Sequence, residues 1–251
     1  MCKPLIAGNW KMHGTTESAT NLAAQLARHR TQEANEKEGA EIIVFPPFVH
    51  IPSVVAATAN SNISVGAQDC SQYPDGAYTG EISVEMLLDQ GCQYVLVGHS
   101  ERRAVIGEGN QMVAEKFKAA QAGGLIPILC VGESLQQRQQ GTTVAVVAEQ
   151  IAAVIDLVGL ADVCRAVIAY EPVWAIGTGE TASPQQAQDV HSAIRAQLGE
   201  AGSSTTLLYG GSVNASNAAE LFAQPDINGG LVGGASLKAD EFLNIAKSIE
   251  A

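Results

Sequence analysis

Short apolar runs recur about every 30 residues along this chain, and that spacing constrains its fold more than any other feature of the sequence. The runs are Leu5-Ile-Ala7, Ile42-Ile-Val-Phe45, Ile63-Ser-Val65, Tyr94-Val-Leu-Val97, Ile126-Pro-Ile-Leu-Cys130, Ala166-Val-Ile-Ala-Tyr170, Thr206-Leu-Leu-Tyr209 and Gly230-Leu-Val232. They read as continuous rather than alternating, the pattern of parallel strands buried on both faces. Between them lie segments with helical spacing. Residues 18–30 put Ala19, Leu22, Ala23 and Leu26 on one face, residues 110–122 do the same with Met112, Val113, Phe117 and Ala120, and residues 142–157 with Val144, Val147, Ile151 and Val154. Ser183-Pro184 has the form of a helix start, with serine as N-cap and proline at the first helical position. Helical patterns return at 216–222 and 239–249. Eight strand–helix units in 251 residues, with no linker or composition break, fit an α/β fold closed into a single-domain (β/α)8 barrel spanning 1–251. An open doubly wound sheet is the alternative arrangement of the same units.

Composition narrows the function classes. The chain is 46% hydrophobic and 16% charged, which suits a large core, and its formal net charge of −12 disfavours non-specific binding to nucleic acid or to an anionic membrane. An anionic small molecule can still bind at a local site. Five cysteines (Cys2, Cys70, Cys92, Cys130 and Cys164) are odd in number and form no Cys-x-x-Cys pair, as expected in a reducing compartment without structural zinc. No signal-peptide core and no run of roughly 18 apolar residues is present, so the expected location is cytoplasmic.

A barrel carries its chemistry just after the strands, on the carboxyl-terminal face. After the first strand comes Gly8-Asn9-Trp10-Lys11-Met12, where Lys11 is either an anion-holding charge over the barrel mouth or an ordinary solvated lysine. After the fourth comes Gly98-His99-Ser100-Glu101-Arg102-Arg103. His99 is either a proton-transfer group or a structural histidine, and a helical turn opening at Ser100-Glu101 would aim amides at it and favour neutral imidazole. Glu101, Arg102 and Arg103 read as a supporting ion-pair cluster. After the sixth strand comes Glu171, either a base desolvated near an apolar wall such as Ile176 or a salt-bridged strand-end acid. After the seventh and eighth come Tyr209-Gly-Gly-Ser-Val213 and Leu231-Val-Gly-Gly-Ala-Ser236; each Gly-Gly alone reads as a tight turn, and the two together, one with Ser212, read as places where backbone amides converge on a phosphate. No His, Asp, Glu or Cys set has metal-ligand spacing, so no metal is expected. Cys130 reads as a packed small residue, and Trp10 and Tyr78 as packing aromatics.

In this order, these segments resemble the triosephosphate isomerases over essentially the whole chain, together with Gly76-Ala-Tyr-Thr-Gly-Glu81 and Ala169-Tyr-Glu-Pro-Val-Trp-Ala-Ile-Gly-Thr-Gly179. The resemblance implies a TIM barrel that interconverts dihydroxyacetone phosphate and D-glyceraldehyde 3-phosphate, a step of glycolysis and gluconeogenesis, without a cofactor. It implies Glu171 as the base, His99 as a neutral electrophile, Lys11 as the group holding negative charge and Asn9 as the orienting group. Phosphate would sit on the amides of Gly177, Ser212, Gly233 and Gly234. Pro172 to Gly179 would form a lid with hinges at Pro172-Val173-Trp174 and Gly177-Thr178-Gly179. A homodimer is implied, with Thr79 reaching a partner's site near Asn9 and Lys11 and with Gln68 in the interface region. The chain departs from the family at Asp69-Cys70, which bears on the interface, and at Ala104-Val105-Ile106, which bears on packing around Glu101 and Arg102. Two other readings remain: a different metal-free barrel isomerase of sugar phosphates, which would need other proton-transfer groups, and a non-catalytic phosphosugar-binding barrel, which would have lost one of Lys11, His99 and Glu171.

Overall fold

The computed structural model describes residues 4–32, 39–176 and 181–249. Eight parallel strands close into a barrel in chain order: β1 (Leu5–Asn9), β2 (Glu41–Phe45), β3 (Ile63–Ala67), β4 (Tyr94–Val97), β5 (Ile126–Val131), β6 (Val167–Tyr170), β7 (Thr206–Tyr209) and β8 (Gly229–Val232). β1 pairs with β2 from Leu5 opposite Glu41 to Asn9 opposite Phe45, and closes the ring against β8 with Leu5 opposite Gly229. The sheet is therefore closed, and the open alternative does not apply.

The period of two along each strand explains why the runs carry so little polar alternation. In β1, Leu5 and Ala7 point into the barrel with Ile43, Phe45, Leu96, Ile128, Ala169 and Leu208, while Ile6 belongs to the shell between barrel and helices with Ile42, Val44 and Val97. Each strand feeds two cores at once, so both sides of it must be apolar. The shell is completed by α1 (Thr16–Gln32), α2 (Ile51–Thr58), α3 (Val84–Asp89), α4 (Asn110–Gly123), α5 (Leu135–Gln139), α6 (Thr143–Val158), α7 (Leu160–Cys164), α8 (Pro184–Leu198), α9 (Ala218–Phe222) and α10 (Ala239–Lys247). At α8, Ser183 accepts from the Gln186 amide while the Gln186 side chain accepts from the Ser183 amide, a capping box with Pro184 in the first turn.

Sequence periodicity does not locate α2, α3, α5 or α7. α3, α5 and α7 are only five or six residues long, too short to show a repeat. α2, Ile-Pro-Ser-Val-Val-Ala-Ala-Thr, is apolar nearly all round and so shows little periodic contrast. The first strand also runs two residues further than its apolar run, so Asn9 lies on β1 itself and is buried there. Among the described residues, no helix is long and apolar enough to cross a membrane.

Candidate active site

The carboxyl-terminal ends of the strands surround a cavity of about 430 Å³ lined by Asn9, Lys11, His99, Glu171, Ile176, Gly210, Gly211, Ser212, Gly233 and Gly234. The structure thus brings together the strand-end residues that the sequence singles out. Gly177, Thr178 and Gly179 lie outside the described residues. Thr79 is not part of this cavity: it sits exposed in the long loop after β3, where Tyr73 and Tyr78 stack with ring centroids 4.3 Å apart.

His99 and Glu171 are both buried, at 6% and 2% exposure, and the His99 Nε2 lies 2.9 Å from Glu171 Oε1. The other carboxylate oxygen accepts from the Ser100 amide at 2.8 Å. A helical turn does open at Ser100, but its two amides divide their work: Ser100 serves Glu171, and Glu101 donates to His99 Nδ1 at 3.2 Å. The turn then widens into a π-helix over Arg102–Ile106, an insertion that recurs at functional sites. Burial opposes charge on both groups. In Glu171 it is outweighed by His99, the Ser100 amide and Lys11, which hold the carboxyl below the ordinary glutamate range. In His99 burial is outweighed by the Glu171 carboxylate, which holds the imidazole above its ordinary range. The Glu101 carboxylate adds to that upward shift and Lys11 opposes it. The Glu101 amide points at Nδ1, where an imidazolium would have to set one N–H against another.

Room for Glu171 is made by two glycines. A Cβ at Gly132 would come within 1.8 Å of the Glu171 carbonyl oxygen, and one at Gly210 within 2.8 Å of its Cγ. Gly210 belongs to a conspicuous Gly-Gly motif, whereas Gly132, after β5, gives no signal in sequence because its constraint is contact with a neighbouring strand.

Lys11 reaches the cavity in a left-handed backbone conformation, φ +51°, the sole non-glycine positive φ among the described residues. Its Nζ contacts Glu101 Oε1, and its stem passes Gly233, where a Cβ would lie 3.3 Å from Cε. The three charges after His99 therefore do different things. Glu101 pairs with Lys11, while Arg102 pairs with Asp69 at 2.9 Å and Glu108 at 2.7 Å. Arg103 donates to the carbonyls of Gly98 and Cys130 and to Asn110. Asp69 turns inward, where burial raises its pKa against the pull of Lys116 and Arg102; Cys70 beside it is buried and its thiol is pushed up to about 12. Val105 and Ile106 stand exposed.

Beside Lys11, Gly233 and Gly234 enter a short 3-10 turn (Gly234–Leu237), whose Ser236 hydroxyl bonds the Gly233 and Asn9 carbonyls. Ser212 is engaged: both its amide, at 3.1 Å, and its hydroxyl, at 2.7 Å, donate to the carbonyl of Ala175. Ala175 closes the short turn Val173–Ala175 that follows Pro172. That turn is anchored in turn by fully buried Glu133, whose Oε1 accepts from Trp174 Nε1 at 2.9 Å and Tyr170 OH at 3.2 Å, with the Arg138 guanidinium 4.5 Å above the Trp174 ring. Glu133, Arg138 and the Ala175–Ser212 link follow from no motif, because they join loops after the fifth, sixth and seventh strands. Among the described residues no three His, Cys, Asp or Glu side chains are grouped as a metal would require.

A sequence profile of the triosephosphate isomerase family matches residues 4–249. Curated relatives with the same name are 53% identical in Pseudomonas putida strain W619, 54% in Thiobacillus denitrificans and 52% in Pseudomonas entomophila, each over 99% of both chains. A closed eight-stranded barrel, a His–Glu pair over its mouth and full-length similarity of this kind agree: this chain is an isomerase that belongs to the triosephosphate isomerase family.

Proposed function

We propose that this isomerase exchanges the carbonyl and hydroxyl positions of triose phosphates with Glu171 as the base that moves the carbon-bound proton. One observation carries the reading: a buried carboxylate and imidazole in hydrogen-bond contact face a cavity that also holds a lysine and two glycine-rich strand ends. Glu171 leaves His99 and Ser100 and takes a proton from the carbon beside the carbonyl of dihydroxyacetone phosphate. The C–H electron pair forms a C=C bond, and the carbonyl oxygen takes the negative charge. His99 donates from Nε2 to that oxygen and passes protons between the two oxygens; with Nδ1 held by the Glu101 amide, it does so as neutral imidazole. Glu171 returns its proton to the neighbouring carbon, giving D-glyceraldehyde 3-phosphate. Lys11 holds negative charge on substrate and enediolate, and Asn9 orients the substrate oxygens.

The phosphate sits on the amides of Ser212, Gly233 and Gly234, with Gly177 as a further donor from the lid segment. Because the Ser212 donors are spent on Ala175, phosphate can use them only if the turn behind Glu171 shifts, so binding is tied to lid movement. Closure would keep water from the enediolate, which can otherwise expel phosphate. The chain acts as a homodimer in which exposed Thr79 approaches the partner's site near its Asn9 and Lys11. A coupled assay of purified protein with D-glyceraldehyde 3-phosphate, without added metal, tests the reading. Turnover is expected; turnover only of a different sugar phosphate, or binding without turnover, would overturn it.

A further inference from the structure

Lys11 is where the fold holds its one left-handed non-glycine residue among those described, and lysine has no short polar side chain to ease that conformation locally. Such a residue persists only where its surroundings over-determine it. Its amide donates to Asn9 Oδ1 at 3.0 Å. Its carbonyl accepts from Gln68 Nε2 at 2.8 Å, and the same nitrogen donates to the Phe45 carbonyl at 2.9 Å. The Phe45 carbonyl also takes the Trp10 amide at 3.1 Å, so the end of β2 is tied to both sides of the Lys11 backbone. Gln68 follows the last residue of β3 and is partly buried.

We propose that Gln68 is a positioning residue for the isomerase reaction, acting through Lys11; the inference rests on the role given to Lys11 above. A carboxamide nitrogen carries two hydrogens, and here both meet main-chain oxygens, one in β2 and one in the strained residue. The clamp fixes φ of Lys11, and φ decides where the long side chain goes. Relaxation to the ordinary right-handed region would swing Nζ away from Glu101 and from the cavity rim at Gly233. The glutamine at this strand end thereby sets the position of a charge it does not touch.

Gln68→Met keeps the length of the side chain and removes both donors. It is expected to lower kcat/KM for D-glyceraldehyde 3-phosphate by about 10–100-fold and to weaken binding of sn-glycerol 3-phosphate, an unreactive three-carbon phosphate. The deciding measurement is a cycle with Lys11→Ala, read as the dissociation constant of sn-glycerol 3-phosphate. If Gln68 works through Lys11, adding Gln68→Met to Lys11→Ala weakens binding no further. The same loss in both backgrounds, or no loss from Gln68→Met alone, overturns the inference while leaving the role of Lys11 intact. If Lys11→Ala binds as tightly as the wild type, the role given to Lys11 fails, and this inference with it. Should Gln68→Met not fold, Gln68→Glu decides: its carboxyl can donate to only one carbonyl and to none when ionised, so kcat/KM relative to wild type should fall as pH rises. A flat ratio refutes the clamp.

Discussion

Lys116 is 4% exposed, yet its ammonium is the hub of four charges, lying 2.8 Å from each oxygen of Asp69 and 2.6 Å from Glu108 Oε1. Arg102 closes the group from the other side, so two acids face two bases and the sum is zero. Lys116→Met fills the space of the stem but leaves one net negative charge buried and removes three charge-assisted bonds. Breaking a buried pair by deleting one partner costs about 3–5 kcal/mol, and that is the expected loss near neutral pH. The loss should depend on pH in a determined direction. Burial already raises the Asp69 pKa in the wild type, and without Lys116 it climbs further. A carboxyl whose folded pKa lies above its unfolded one weakens the fold as pH rises through the folded value. In the wild type, burial of Glu108 is overcome by Lys116 and Arg102, which hold it below the ordinary range; that contribution is present above the unfolded pKa and is lost as pH falls through the folded one. The deficit of the variant therefore narrows on acidification, chiefly because Asp69 takes up a proton and relieves the unpaired charge, while the loss tied to Glu108 sets in only below its ordinary range. Denaturant unfolding at a fixed protein concentration, followed from about pH 8 to about pH 4.5, reads both curves. A deficit under about 1 kcal/mol, or one that does not change with pH, would refute the idea that this cluster is held together by its buried charge balance.

Glu171→Asp withdraws the carboxylate by about one methylene, more than the roughly 1 Å misplacement that can cost 100-fold, so kcat should fall by about 100-fold or more with KM little changed; normal turnover would remove Glu171 as base. Ser212→Ala deletes one donor to phosphate, worth about 1.5–3 kcal/mol, but also the 2.7 Å bond to Ala175 that competes with it, worth about 0.5–1.5 kcal/mol. The net loss should be about 1 kcal/mol, a roughly fivefold weaker Kd for inorganic phosphate by calorimetry, and an unchanged Kd would take the Ser212 hydroxyl out of the cradle, its amide being left in place by the substitution. Trp174→Phe removes the indole donor from buried Glu133, which keeps Tyr170 and Arg138. A loss of about 1–3 kcal/mol in unfolding free energy is expected, and no loss would mean that Glu133 is satisfied without the turn.

What the sequence makes legible, and what it hides, divides along a physical line. A strand buried on both faces and a helix packed on one leave their period in the order of residues, so all eight strands and the long helices can be read from the chain. A side chain's position after a strand is equally local, and Asn9, Lys11, His99, Glu171, Ser212, Gly233 and Gly234 line one cavity because closure of the sheet makes neighbours of all strand ends. What decides how those groups behave is not local. Glu171 meets Ser100 across 71 positions and Lys11 meets Glu101 across 90, while Trp174 is held by Glu133 from another loop. Asp69 looks in sequence like a change at an interface, yet its partners are Lys116 on α4 and Arg102 beyond β4. Gln68 is placed in sequence only in an interface region, and its link to Lys11 shows when the left-handed turn there appears opposite its amide. The groups proposed for the chemistry are thus legible as residue types at strand ends. Their protonation, reach and strain are set by partners that only the closed barrel brings into contact, and a substitution at such a partner should alter the reaction without touching the substrate.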